Sequence, residues 1–347
     1  MQISQNPLTF CQDHYTLYVD TSSPEKTICF TSAIKQLQQA GWELSSQDDL
    51  FTINTTPLGY PVTIFTYSSL ELAINHHGIT PDPFAIIQAI GGGQLEQALA
   101  ASIPNSIVVD SVLFGFNWVF VKAGNLCGIA RSPERGTEGA RTIRPKEGFA
   151  GKTLAQLAQY FCSFDPLCRA LGLAAINAYW NRIDNPYHFN HTGGFSAITP
   201  PGNGLVIIGG FRSVQQRLHS AKIIEREPRP GDIAVEDAPM AFQTAQQLAI
   251  TAQTLMNGSL EPILCSSRNV PHHLLVGPSA PLCPILFDYG IDEISGLIVK
   301  NPTQVMQFIA ESGAMIMLDD LVESRYLCAK TYTEKPNPPV KSIKNNI

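Results

Sequence analysis

Charge is scarce in this chain of 347 residues: Asp, Glu, Lys and Arg make up 15% of it, with 29 acidic against 23 basic side chains and a formal net charge of −6. A dedicated nucleic-acid binder needs a basic surface to meet phosphates, which argues against that class. Long apolar runs are missing too. None reaches the roughly 18 residues that a membrane helix needs, and no N-terminal stretch has the basic, apolar, small-residue order of a signal peptide. The expectation is a soluble cytoplasmic protein, possible as a homodimer, whose partner is a small-molecule substrate and neither a nucleic acid nor a membrane.

Motifs that would announce a reaction are absent as well. The eight cysteines, Cys11, Cys29, Cys127, Cys162, Cys168, Cys265, Cys283 and Cys328, include no C-x-x-C pair, so neither a zinc knuckle nor a disulfide framework is signalled. There is no G-x-S-x-G elbow, P-loop, H-E-x-x-H or H-x-E with P-C-x-x-C, which removes the usual support for serine hydrolase, NTPase, zincin and zinc deaminase readings. Histidines pair at His76 and His77, His188 and His191, and His272 and His273. A specific metal site wants three or four ligands, and the sequence places no third, so no built-in metal is expected.

Against these absences stands a 44% hydrophobic chain long enough for two domains. Periodicity predicts a strand near 15–19, a helix over 32–44, and two alternating runs at 50–54 and 62–67 joined by the turn chemistry of Thr56-Pro-Leu-Gly59. Strands follow at 106–110, 117–121 and 126–130, the last two joined by Ala123-Gly-Asn125. Two helices come next, over 152–161 and 166–183, the second with Asp165 as N-cap and Pro166 in the first turn. Between the strands and these helices lie Arg131, Arg135, Arg141, Arg144, Lys146 and Lys152, offset by Glu134, Glu138 and Glu147. That segment reads as a solvated loop.

Residues 188–204 are rich in Gly, Pro, Asn and His and read as a linker. Beyond them strand and helix alternate, which predicts an open parallel sheet. The tail after Lys330 cannot bury a core and is expected to be disordered. The division is an α+β domain over 1–187, with residues up to about 90 as an extension of it, a Rossmann-like domain over 188–330, and a tail over 331–347.

One stretch of the second domain points to a ligand. The run Leu205-Val-Ile-Ile-Gly-Gly-Phe-Arg212 is a buried strand that breaks at two glycines before the helix-like Ser213-Val-Gln-Gln-Arg-Leu218. A strand turning through glycine is how a doubly wound sheet opens a nucleotide-sized crevice. The next strand, 221–224, ends in Glu225, where such folds place an acid for ribose hydroxyls. Gly209 and Gly210 alone do not make the G-x-G-x-x-G grip for a pyrophosphate. A nucleoside without one, such as S-adenosylmethionine, is therefore the expected cofactor. Thr251 and Thr254 follow the third expected strand and Ser279 follows the fourth. Topology gathers these hydroxyls at one edge with Gly209, Gly210, Phe211 and Glu225, although Ser279 is equally placed to cap a helix.

Six segments, Asn125-Leu-Cys-Gly-Ile-Ala130, Gly151-Lys-Thr-Leu-Ala-Gln-Leu-Ala158, Leu171-Gly-Leu-Ala-Ala-Ile-Asn-Ala178, Glu225-Arg-Glu-Pro-Arg-Pro-Gly-Asp232, Thr251-Ala-Gln-Thr254 and Gly277-Pro-Ser-Ala-Pro281, occur in the order found in one family. Over about residues 95–330 the chain resembles the heavy-metal chelation domains, also called domain of unknown function family 364. The resemblance implies an α/β fold with an enolase-N-terminal-like domain followed by a Rossmann-like one. It also implies a site between the two and a role in making flavin-, pterin- or siderophore-like molecules. The chain departs from the family pattern at Arg212 and Gln253.

For catalysis, Asn177 and Asn181 share one face of the second long helix and are candidates to grip a ligand across the domain boundary. The same spacing suits buried amides satisfied by backbone. His188 is the candidate general base. The activity expected from this set is alkyl transfer or cyclisation on a small metabolite using S-adenosylmethionine. The alternative is non-enzymatic binding of a heavy-metal chelate.

Overall fold

The computed structural model describes residues 15–39, 43–47, 50–53, 62–67, 81, 86, 94–133, 143–163, 165–185, 187, 189–190, 192–314 and 320–332. The first segment builds a small sheet of its own. Strand β1 (Tyr15–Asp20) leads into helix α1 (Pro24–Gln39), followed by β2 (Leu44–Gln47), β3 (Leu50–Ile53) and β4 (Val62–Tyr67). The order is β1-β4-β3-β2, with β1 and β4 parallel and the expected hairpin formed by β3 and β4. Leu17, Val19, Ile53, Val62 and Ile64 point inward with Phe30, Ala33 and Leu37 of α1, a cluster separate from the main core. The turn expected at 56–59 and the glycines 91–93 lie outside the described residues.

A second unit follows. Helix α2 (Gln94–Ala101) precedes an antiparallel meander of β5 (Ser111–Phe114), β6 (Trp118–Ala123) and β7 (Leu126–Arg131). The turn at Gly124 has φ 60, as the hairpin requires. The first strand of the meander starts later than 106–110. Ile107 and Val109 pair irregularly with the loop at 151–154, through Leu154 N–H to Ile107 O at 2.7 Å and Val109 N–H to Lys152 O at 2.9 Å. Helix α3 (Leu154–Ala158) is opened by a Thr153–Gln156 capping box. Helix α4 (Pro166–Trp180) is opened by Asp165, whose carboxylate accepts from the Leu167 and Cys168 amides. Every residue of α4 from Arg169 to Ala178 is buried, as expected of a helix that is apolar nearly all round. It lies against β7 so closely that a Cβ on Gly128 would stand 2.1 Å from the Ala178 nitrogen.

The third unit is a seven-stranded sheet. Its strands are β8 (Leu205–Ile208), β9 (Lys222–Glu225), β10 (Ile233–Ala234), β11 (Gln247–Thr251), β12 (His273–Val276), β13 (Glu293–Val299) and β14 (Val322–Cys328). The order is β10-β9-β8-β11-β12-β13-β14, parallel except for the antiparallel edge pair β13 and β14. The chain therefore steps outward from β8 in one direction and then in the other. This is the doubly wound arrangement, with its switch point between β8 and β11. Short helices α5 (Ala238–Phe242), α6 (Gln253–Met256), α7 (Leu260–Ser267), α8 (Ile285–Asp288) and α9 (Pro302–Ala310) join or flank the strands, and α10 (Ala329–Tyr332) closes the described chain. Residues of α2, α3, α4 and the parallel sheet share one hydrophobic cluster.

Several expectations need correction. The helix expected after Gly210 is a single 3-10 turn, Arg212–Val214, followed by irregular turns. Phe211, Val214 and Leu218 gave the segment its helical look because all three pack inward. The short β10 makes β11 the fourth strand of the sheet and not the third. The helical stretch after β11 is broken between α6 and α7 at Asn257 and Gly258. The segment taken as a linker is tied down where described: Asn190 pairs with Tyr326 of the edge strand, N–H to O at 2.8 and 3.3 Å in the two directions. Residues 331–332 belong to α10, and the rest of the expected tail lies outside the described residues.

Candidate functional site

The strand ends around the switch point frame a cavity of about 780 Å³. Its wall includes Ile208, Gly209 and Gly210 after β8, Ile224 and Glu225 at the end of β9, and Thr251, Gln253 and Thr254 after β11. Gly209 has φ 105, and a Cβ there would stand 2.7 Å from the Thr251 Cγ2. Both facts require glycine. At Gly210 a Cβ would meet only the far end of the flexible Glu225 side chain, with Oε1 at 2.5 Å, so the contact places the carboxylate beside the turn without requiring glycine there. The carboxylate of Glu225 therefore lies directly against the turn that ends β8, as the sequence pattern anticipates.

Around Glu225 the charges are arranged in a short array. The Arg212 guanidinium forks onto Asp232, with Nη1 donating to Oδ1 at 2.9 Å and Nη2 to Oδ2 at 2.6 Å. Asp232 also accepts from the Arg229 amide at 2.9 Å. This latch joins the loop after β8 to the loop after β9 across the mouth of the crevice. The hydrogen bonds from Arg212 and from the Arg229 amide hold the Asp232 carboxyl at about 2, while Asp232 raises the Arg212 guanidinium. Glu225 moves the other way. Partial burial raises its pKa, and the attraction of Arg212 offsets this only in part. Next to this polar rim the cavity has an apolar wall of Ile224, Val235, Ala238 and Phe242.

The other expected site residues fall into two groups. Thr251 and Thr254 line the cavity, with Thr254 Oγ1 donating to Thr251 O at 2.6 Å. Phe211 sits beside the turn but turns into the core, its ring 4.8 Å from that of Phe195. Asn177, Asn181 and Ser279 are buried away from the cavity wall. Asn177 Nδ2 donates to Ile129 O at 2.8 Å and Ser279 O at 3.1 Å. Asn181 Nδ2 donates to Ala280 O at 2.9 Å and Leu297 O at 3.1 Å, and its Oδ1 accepts from the Leu282 amide at 2.7 Å. Ser279 Oγ accepts from the Arg131 amide at 2.9 Å. These three groups fasten the loop after β12 to α4 and β7. The two amides expected to grip a ligand across the domain boundary instead have their donors taken up by backbone carbonyls. His188 lies outside the described residues.

Sequence reasoning missed two features. Arg212 and Asp232 are twenty residues apart, and nothing local pairs them. Arg169 carried a clearer signal, as the one charged residue of α4. It is fully buried, donating to Glu96 Oε1 at 3.0 Å, Leu255 O at 2.5 Å, Met256 O at 3.0 Å and Ser163 O at 3.3 Å, and it stacks on Phe161 at 4.9 Å. Among the described residues no group of three or more His, Cys, Asp and Glu side chains is placed to hold a metal ion. Also among the described residues, no helix is long and apolar enough to cross a membrane.

Two family models described as "Putative heavy-metal chelation" match the chain, one over residues 96–180 and the other over residues 197–328. No curated protein matches it. Among solved structures, a protein of unknown function from the DUF364 family of Desulfitobacterium hafniense is 24% identical. It superimposes with a TM-score of 0.60 over 68% of this chain and 98% of its own. A protein of unknown function from the same family of Pyrococcus horikoshii is 16% identical, with a TM-score of 0.56 over the same shares. Both likenesses speak for the fold. Neither chain covers the whole of this one.

Proposed function

Because the chain belongs to the heavy-metal chelation family, whose description names no reaction, we propose from the crevice itself that it binds a nucleoside lacking phosphate, S-adenosylmethionine or a close relative. We further propose that it is an enzyme acting there on a small metabolite by alkyl transfer or cyclisation. The observation that carries this reading is the Glu225 carboxylate lying beside the Gly210 turn at the switch point of the sheet.

The chain's own groups suit the parts of such a ligand. Glu225 accepts from the two ribose hydroxyls, and charge-assisted bonds of this kind contribute about 1.5–3 kcal/mol each. The apolar wall of Ile224, Val235, Ala238 and Phe242 takes the face of the base. The 3-10 turn after Gly210 has no run of free helical amides aimed at the crevice, and Arg212 is committed to Asp232. A pyrophosphate would meet the Glu225 carboxylate with no helix N-terminus to offset it, only the Arg226 and Arg229 side chains of the cavity wall. A sulfonium ligand supplies an electrophile that is already activated, so the protein's task is to orient the acceptor and exclude water.

A thermal-shift series with S-adenosylmethionine, its demethylated product, NAD, a pterin and divalent metal ions tests the proposal. Stabilisation by the first two and none by NAD supports it, since saturation at 100 times the dissociation constant adds about 2.7 kcal/mol. Stabilisation by metal ions or their chelates alone would turn the reading to the non-enzymatic alternative.

A further inference from the structure

We infer that Arg169 is a positioning residue for the crevice, acting on its wall from the other half of the molecule. The inference rests on the reading of the crevice as a ligand site, but its physical basis is independent of which ligand binds. A fully buried arginine is costly unless every donor is met. This one meets its partners on three different elements.

Its ion pair with Glu96 joins α4 to α2, and its bond to Ser163 O closes the turn before α4. The two remaining bonds go to Leu255 O and Met256 O, the carbonyls left open at the end of α6. That helix is a single turn, with its residues held by Leu255 N–H to Ala252 O at 3.1 Å and Asn257 N–H to Gln253 O at 3.1 Å. A four-residue helix has little stability of its own. Yet it carries Thr254, Met256 and Asn257 into the cavity wall, immediately after Thr251. The guanidinium supplies the C-terminal cap that the turn lacks, with a planar fork that an ammonium cannot reproduce. The crevice wall after β11 is thus set by a charge on α4, and the Glu96 carboxylate holds that charge in register.

The test compares Arg169→Lys with Leu171→Ala, a core truncation in the same helix of a side chain that has no donor for either carbonyl. Both are studied in the full chain, well below their melting temperatures. In Arg169→Lys the amides of Leu255 and Asn257 should exchange with solvent about tenfold faster than in the wild type, one such bond's worth of local protection. The amides of the central strand β8 should keep their protection. Affinity for S-adenosylmethionine, measured by calorimetry, should fall about tenfold, the equivalent of 1.4 kcal/mol. Leu171→Ala should lose melting temperature while keeping affinity and the exchange of these two amides within about twofold. Unchanged exchange at Leu255 and Asn257 in Arg169→Lys overturns the inference. If the wild type itself does not bind S-adenosylmethionine, the ligand reading fails, and the exchange result still decides the role of Arg169.

Discussion

Two loops leave the same edge of the parallel sheet from adjacent strands, and they have opposite fates. The one after β11 lines an open crevice with Thr251, Gln253 and Thr254. The one after β12, beginning at Gly277, is packed against α4, where Asn177, Asn181 and Ser279 consume its polar groups. Topology sends every strand end to one edge. What lies above each end decides whether it becomes a site or a seam. Over β12 the helix stands close enough for its amides to reach backbone carbonyls. Over β8 and β9 the Arg212–Asp232 latch crosses from one loop to another.

If the seam is structural, its loss should cost stability and leave the crevice alone. Asn181→Ala strands Ala280 O, Leu297 O and the Leu282 amide in a buried setting, and should destabilise the protein by about 2–4 kcal/mol in urea unfolding. A variant that keeps its stability while losing ligand affinity would move Asn181 from the seam to the site. Gly209→Ala tests the crevice side. The residue's φ of 105 and the Thr251 methyl 2.7 Å away should cost about 1–3 kcal/mol and also weaken ligand binding, a double effect that the seam variant should not show.

The latch is the next smaller effect. Asp232 titrates at about 2 when folded, below the ordinary 3.8. A lowered carboxylate contributes stability above its unfolded value and loses it as pH falls through the folded one. The stability difference between wild type and Asp232→Asn should therefore be constant above pH 3.8 and disappear as the pH approaches about 2. A difference that persists in strong acid would detach it from the carboxylate. Glu225 gives the smallest and most specific signal. Burial raises its pKa from the ordinary 4.5, so ligand affinity should begin to weaken on acidification at a pH where a solvent-exposed glutamate would still be fully charged. Calorimetric titrations across the acid range measure this.

Much of the crevice was legible in the sequence because its signals are local. An apolar run ending in two glycines and a second run ending in Glu225 need no distant partner to be recognised. The amide pair was legible only as spacing. Asn177 and Asn181 do share a face of α4, but sequence gives no sign of the loop at 279–282 lying over that face, and the loop determines what the amides do. The meander's first strand was misplaced for a related reason. Ile107, Val108 and Val109 look more strand-like than Ser111–Phe114, yet the loop at 151–154 competes for their backbone. Apart from the nearby Ser163, the polar partners of Arg169 lie 73, 86 and 87 residues away and that of Arg212 lies 20 away, beyond the reach of any periodicity.

Calorimetric titration of S-adenosylmethionine into the wild type and Glu225→Gln is the most direct examination of the proposed site. The wild type should bind one equivalent. The variant should melt no lower than the wild type, because the substitution removes a partly buried charge, and it should bind about 10- to 150-fold more weakly, the equivalent of 1.5–3 kcal/mol. Equal affinity in the two proteins would remove Glu225 from the site, and an absence of binding to both would contradict the nucleoside reading of the crevice.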